Sequence, residues 1–165
     1  MSITGRVAVT VDLEDIRSSD AASLREKISA AFGWDVLAGT GAGQANLMWQ
    51  DTSTIGTGET WSLDLAGTMV NSLGGPVVFS KIKAIAVKAG DGNTTALTIS
   101  RPAANGAAVF AAGGDALQDL DAGDAFLLTK KGAGITVTAG SADLLYITNA
   151  AGASAEASVI LLGLS

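Results

Sequence analysis

The chain has 165 residues, of which 48% are hydrophobic and 16% charged, so a disordered chain is excluded and one domain with a sizeable core is expected. Its net charge of −6 and its scattered basic residues argue against binding to a phosphate backbone. The nearest thing to a basic patch is Lys81, Lys83 and Lys88, and strand alternation predicts a solvated face for Lys81 and Lys83. We therefore expect no nucleic-acid partner.

The sequence contains neither histidine nor cysteine. This excludes Ser-His-Asp and Cys-His triads, thiolate or imidazole metal sites, and disulfides. The N-terminal residues lack the apolar core of a signal peptide, and the longest apolar run, VILLGL, is far shorter than the roughly 20 residues that span a bilayer. We expect a soluble protein without an export signal and without a membrane partner.

The N-terminal segment is predicted to be a strand followed by the single helix of the chain. Residues 6–13 alternate in polarity, which predicts a half-buried strand with one apolar face formed by Val7, Val9, Val11 and Leu13. Residues 20–32 are predicted to be a helix because four apolar side chains have helical spacing: Leu24, Ile28, Ala31 and Phe32. Ser19 or Asp20 would cap its start, and Gly33 suits its C-terminal end.

Residues 35–44 are predicted to be a linker. Their Gly39-x-Gly41-x-Gly43 pattern is that of a phosphate loop, but no helix pattern follows it and no lysine accompanies it, so a phosphate site is not expected. We therefore divide the chain into a strand–helix arm, residues 1–36, and a β-domain, residues 37–165.

From residue 45 onward, short apolar runs recur about every ten residues. They predict about nine strands, within residues 46–50, 59–65, 77–89, 95–100, 107–110, 125–129, 135–138, 144–148 and 158–162. A phase change between Ile82 and Ile85 predicts a bulge, and Asp91-Gly92-Asn93 predicts a hairpin turn. The predicted fold is mainly β: an antiparallel, jelly-roll-like β-sandwich with one short N-terminal helix.

Several side chains could carry chemistry, but none is singled out by its pattern. Calcium prefers oxygen ligands, which four nearby aspartates could provide: Asp115, Asp119, Asp121 and Asp124. Leu117 and Leu120 interrupt the spacing of a calcium-binding loop, so a turn capped by acidic side chains is the favoured interpretation. Hydrolysis of a glycosidic bond needs a pair of carboxylates, and the candidates are Glu14, Asp51, Glu59 and Asp64. Trp49 and Trp61 are the candidates for stacking on sugar rings. Each lies in a strand pattern of alternating polarity, which favours packing in the core instead. Asn93-Thr94-Thr95 matches a glycosylation sequon but is interpreted as a turn.

From about residue 37 to the end, the order of motifs resembles small structural proteins of tailed bacteriophages and prophages. The matching stretches are GTGAGQANLMWQDT, LDLAG, KIKAIAVKA, DAGDAFLL and GITVTAGSADLLYITNAAG. The resemblance implies a β-sandwich that assembles as a homo-oligomer, often a trimer, and that carries no catalytic residues.

The leading hypothesis is therefore a non-enzymatic virion protein, a capsid decoration (cement) protein that is made in the host bacterial cytoplasm. Its expected partners are copies of itself, as a trimer, and the major capsid protein or other virion proteins. No catalytic, cofactor-binding or metal-binding residue and no cofactor is predicted. A tail, neck or spike component is one alternative. A carbohydrate-binding module or adhesin tip that uses Trp49 or Trp61 is another, and a glycan-cleaving enzyme is a third.

Overall fold

The computed structural model describes residues 3–19, 22–109 and 116–165, and these residues form β-strands and no helix. The strands are β1 Gly5–Ser19, β2 Ala22–Ala38, β3 Gln44–Ala45, β4 Leu47–Ile55, β5 Thr60–Asp64, β6 Lys81–Ala89, β7 Leu97–Ser100, β8 Ala116–Leu120, β9 Ala125–Thr129, β10 Ile135–Thr136, β11 Leu144–Thr148 and β12 Ala155–Leu164. The mainly β prediction is confirmed. In the part of the chain that the structure describes, no helix has the length and apolarity to cross a membrane.

The helix predicted over residues 20–32 is wrong, because Ala22–Ala38 forms one long strand. The spacing that suggested a helix does not discriminate between the two structures. Ile28 and Phe32 are four residues apart, which places two side chains on the same face of a helix and also on the same face of a strand. The alternation continues through Trp34 and Val36, which lie on that face as well. The period of two, not 3.6, describes this segment.

β1 and β2 pair along their whole length, from Gly5↔Val36 to Ser19↔Ala22, and form a long antiparallel hairpin that we call the arm. The short β3 joins it by a parallel pairing, Leu37↔Gln44 and Ala38↔Ala45. The predicted strand over residues 6–13 is thus confirmed, but it is not half-buried. Val9, Val11 and Leu13 are 42%, 37% and 61% exposed.

The other strands form two larger sheets, which with their connections we call the body. In the large sheet the order is β10-β6-β12-β4, and β9 also pairs with β6, beyond the residues that β10 contacts. In the small sheet the order is β5-β11-β7-β8. The pairings within both sheets are antiparallel. One buried cluster contains side chains from both sheets, among them Trp49, Val159, Leu63 and Ile147.

Most of the predicted strands of the body are present. Those predicted over 125–129 and 144–148 match β9 and β11, while β4 and β12 are longer than predicted. A bulge is confirmed in β6: Leu162 pairs with Ala84 and Gly163 with Ile82, so Lys83 has no partner in β12. Residues 107–110 do not form a strand in the described part, although Ala107 and Val109 are buried.

The hairpin turn predicted at Asp91-Gly92-Asn93 is wrong. The turn exists, but the strands on either side of it belong to different sheets, because β6 pairs with β12 and β7 pairs with β11 and β8. The Asn93 side chain explains the departure from a hairpin. Its amide donates to the Glu156 carbonyl at 2.9 Å and accepts from the Glu156 N–H at 2.8 Å, so it fixes the crossing segment to the start of β12.

Candidate functional site

The acidic residues predicted as possible calcium ligands are used in local structure. Asp124 Oδ2 accepts from the Asp121 N–H at 3.1 Å, and the Asp124 N–H donates to the Asp121 carbonyl at 3.0 Å, which closes a turn. Asp119 accepts from the Thr98 hydroxyl at 2.7 Å across β7 and β8. Asp115 lies outside the described residues. Among the described residues no group of three or more side chains is arranged to hold a metal ion.

The four carboxylates considered for glycosidic chemistry bind groups in their own neighbourhoods. Glu59 accepts from the Gly56 N–H at 3.1 Å, Asp64 from the Ala66 N–H at 3.2 Å, and Asp51 from the Thr52 N–H at 2.8 Å. Glu14 pairs with Arg25 across the arm at 3.3 Å. These contacts close turns, join neighbouring strands or, for Asp51, bind the next residue of the same strand, and none of them pairs one of these carboxylates with another.

The tryptophans pack against the protein rather than forming a flat open platform. Trp49 is 5% exposed, and its indole N–H donates to the Val70 carbonyl at 2.8 Å. Trp61 is half-buried and packs on the core, with its ring centroid 6.2 Å from that of Trp49. The preference for core packing over sugar stacking is thus confirmed for Trp49.

The glycine-rich segment 39–43 connects β2 to β3, and its geometry is that of a connection between strands. Gln44 Oε1 accepts from the Gly41 N–H at 2.7 Å, and the Gly43 N–H donates to the Lys131 carbonyl at 2.9 Å. Two N–H groups that a phosphate would need are therefore bound to protein acceptors.

Lys83 is the side chain whose environment departs most from the sequence-based expectation. It lies at the bulge of β6, is only 3% exposed, and donates from Nζ to the carbonyls of Gly41 and Gly132. Burial, followed by the nearby charge of Lys81, lowers the pKa of Lys83. The predicted solvated face is wrong for this residue. Lys83 thus joins the glycine-rich segment 39–43 to the β9–β10 loop. The predicted bulge was the one feature of the sequence that indicated an unusual position near Lys83.

The arm carries the most unusual surface of the molecule. Opposite residues across the hairpin place two apolar side chains side by side on one face over four successive rungs: Val7/Trp34, Val9/Phe32, Val11/Ala30 and Leu13/Ile28. The three distal rungs are open, and Leu13, Ile28 and Phe32 are 61%, 55% and 67% exposed. Soluble monomers rarely expose a contiguous apolar strip of this kind.

The opposite face of the arm is polar, and its charges are compensated across the two strands. Arg6 lies 4.0 Å from Asp35, Glu14 pairs with Arg25, and the Ser29 hydroxyl donates to Asp12 at 2.5 Å. The arm is therefore an amphipathic ribbon: one face is suited to water and the other to a protein surface.

The base of the arm shows what its apolar face contacts. Trp34 and Val36 are 8% and 4% exposed and, with Ile3 and Val7, form a second buried cluster with Ala45, Ala84 and Leu162. Ala84 and Leu162 are paired residues of β6 and β12, so the arm starts on the large sheet. The arm contacts the face of the large sheet that points away from the buried cluster shared by both sheets. We call this face the outer face.

The outer faces of the two sheets differ in chemistry. The outer face of the small sheet carries hydroxyl groups, with Thr60 and Thr148 hydrogen-bonded at 2.9 Å and Thr98 bound to Asp119. The outer face of the large sheet is apolar at its centre. Met48 and Ile160 are 48% and 50% exposed there; Ile160 lies beside the smaller Ala86, and Met48 lies opposite Leu162. Met48 and Ile160 thus form an open apolar surface on the side from which the arm projects, and further open apolar side chains, Val70, Leu73 and Val78, lie in the β5–β6 connection.

Comparison with known proteins identified no relative: no protein-family model, curated protein or solved structure matches the chain.

Proposed function

We propose that this chain is a non-enzymatic structural subunit of a tailed-bacteriophage virion, a capsid decoration (cement) protein that stabilises the head through contacts between its own copies and with the shell. The observation that carries the proposal is the arm, with its three open apolar rungs. A two-stranded ribbon is at best marginally stable in water, so a hairpin of this length with one apolar face needs a surface to lie on. Assembly supplies that surface.

The motif order that resembles phage structural proteins supports the same proposal and lies mainly in the body. We propose that the body is a jelly-roll-like antiparallel β-sandwich, with the two larger sheets packed face to face. The buried cluster shared by both sheets supports this arrangement. In this proposal the body is a rigid unit, and the arm makes the contacts that hold neighbouring subunits together.

A tail, neck or spike component is a second candidate, and the length of the arm favours it. Strands of 15 and 17 residues extend over about 50 Å, more than one layer of a small domain. An arm of that length could join stacked rings of a tail or neck as readily as neighbours on a shell. The two candidates differ in the particle that the protein binds.

The test is binding of the purified chain to emptied, expanded heads of the phage that encodes it, with tails of the same phage as the comparison. The proposal predicts saturable binding to heads, ordered density in a cryo-electron microscopy reconstruction, and a higher temperature of head disruption. The same reconstruction would show whether the two sheets face each other. Binding to tails alone would replace the decoration assignment by the second candidate, and binding to neither would contradict both.

A further inference from the structure

We infer that the apolar face of the arm of one copy packs on the outer face of the large sheet of a second copy. The inference rests on the proposed homo-oligomeric function and specifies its contact surfaces. Among the described residues, open apolar side chains lie in the β5–β6 connection, at Val70, Leu73 and Val78, and on two strand surfaces: the distal rungs of the arm and the centre of the outer sheet face. A contact between copies would cover both surfaces with one interface.

The base of the arm provides the pattern for this contact. There Val7 and Trp34 already cover Ala84 and Leu162 of their own chain. The next pair along the same sheet face, Ala86 and Ile160, has no such cover, and Ile160 is 50% exposed. The surface that the arm of a neighbour would contact is therefore a direct continuation of the surface that the arm contacts at its base.

The shapes of the two surfaces also agree. The arm presents the large ring of Phe32, which is 67% exposed, next to the smaller side chains of Val9 and Ala30. The sheet presents Ile160 and Leu127 on either side of the small Ala86, with a groove of about 470 Å³ over residues 50–52 and 158–160. The projecting ring of Phe32, with small side chains beside it, would fit over Ala86, where larger side chains stand on either side.

Charge favours a second copy as the occupant. Each chain has a net charge of −6, so copies repel one another unless they meet through neutral surfaces. The four apolar rungs of the arm, from Val7/Trp34 to Leu13/Ile28, contain no charged residue. The row of Gln50, Ile160 and Ala86 on the sheet face is uncharged, and the next row, Thr52, Ser158 and Lys88, carries one positive charge, which pairs with Asp91.

Copies that meet through these two surfaces form either a two-fold dimer with reciprocal arm contacts or a head-to-tail ring or open chain. Packing of arms against other arms would be the alternative. It would cover Phe32 and Leu13 but leave Met48 and Ile160 open, whereas packing on the sheet covers both sets. The observations therefore favour the sheet over a second arm.

The absence of native cysteine makes cross-linking a clean test. Two variants of the full chain, Ala30→Cys on the apolar face of the arm and Gln50→Cys on the outer sheet face, are purified separately. They are mixed, diluted to allow exchange of subunits, concentrated again and treated with a flexible bismaleimide. Two matched controls use the opposite faces: Ala31→Cys with Gln50→Cys, and Ala30→Cys with Ser62→Cys, which lies on the outer face of the small sheet.

We expect cross-linked dimers from Ala30→Cys with Gln50→Cys at a yield at least fivefold above both controls. Cross-linking of Ala30→Cys with itself at that yield would show arms packed on arms and would overturn the inference. An oligomer by light scattering without cross-linking above the controls would also overturn it, while the proposed assembly function would stand. A chain that stays monomeric, alone and on heads, would overturn both.

Discussion

Replacement of Phe32 by threonine tests whether the apolar face of the arm holds copies together. Phe32 is 67% exposed in the single chain, so its main contacts would come from a neighbour. An aromatic side chain buries roughly 150–250 Å², which leaves about 100–170 Å² of Phe32 to be covered. At about 25 cal/mol per Å², covering that area contributes roughly 2.5–4 kcal/mol to association.

Threonine keeps one methyl group and has a high strand propensity, so the expected loss is about 1.5–3 kcal/mol. This corresponds to a dissociation constant about 10- to 150-fold larger. The assay is light scattering after size-exclusion chromatography over a dilution series. The matched control is Ala31→Thr, which introduces the same residue at the next position, on the polar face opposite Thr10. Its dissociation constant is expected to match that of the unmodified chain.

Thermal unfolding of the diluted monomer distinguishes loss of assembly from loss of fold. Phe32 lies across from Val9 and away from both buried clusters. Its replacement is therefore expected to cost the monomer only the cross-strand pair, about 0.2–1 kcal/mol. Equal dissociation constants for Phe32→Thr and the unmodified chain would refute the reasoning. So would a large fall in the monomer's unfolding temperature, because that would show Phe32 buried within its own chain.

Two further predictions concern buried polar side chains. Lys83→Met removes the donor that binds the Gly41 and Gly132 carbonyls and is expected to lower the free energy of urea unfolding by about 1–3 kcal/mol. The pKa of Lys83 in the folded chain lies below its ordinary value of 10.5, so between these two pH values the unfolded chain binds more protons than the folded chain. The stability of the unmodified chain relative to Lys83→Met should therefore rise with pH across that interval. A difference in stability that does not change with pH would contradict the lowered pKa. Asn149 is fully buried, donates to the Ile55 and Ala153 carbonyls at 3.0 and 2.9 Å and accepts from the Thr95 hydroxyl at 3.1 Å. Asn149→Ala should cost about 2–4 kcal/mol, measured by urea unfolding of the monomer; a loss below 1 kcal/mol would show that these groups find other partners.

The strands of the body could be predicted from the sequence because their burial is internal to the chain. Residues such as Leu63, Ile99 and Ile147 alternate with polar neighbours, and the core covers the apolar side of each strand. The pairing of these strands could not be predicted. Asp91-Gly92-Asn93 has the residues of a hairpin turn, but a local turn preference does not decide which sheet the next strand joins. The crossing segment is instead held by the Asn93–Glu156 contact, between residues 63 positions apart.

Among the candidate site residues, the acidic turn and the packing of Trp49 were predictable from local patterns. The environment of Lys83 was not. Alternation places Lys83 on the same face as Lys81, but the bulge changes the direction of its side chain and buries it against two glycine carbonyls. The sequence indicates that a bulge lies between Ile82 and Ile85, but not which residue it turns inward.

The misinterpretation of β2 has a cause that bears on the proposed assembly. A periodic apolar face is normally interpreted as the side of a helix or strand that packs on the core of its own chain. A helix over residues 20–32 would have packed a narrow apolar stripe on that core. In the structure the apolar positions of β2 are divided: Trp34 and Val36 are buried at the base, whereas Ile28 and Phe32 remain 55% and 67% exposed. Their counterparts on β1, Leu13 and Val9, are also exposed, at 61% and 42%. An alternation that runs unbroken from covered to open rungs indicates one continuous contact surface, and a single chain covers only its first part. A neighbouring copy that covers the rest would explain why the sequence keeps the strand pattern beyond the body.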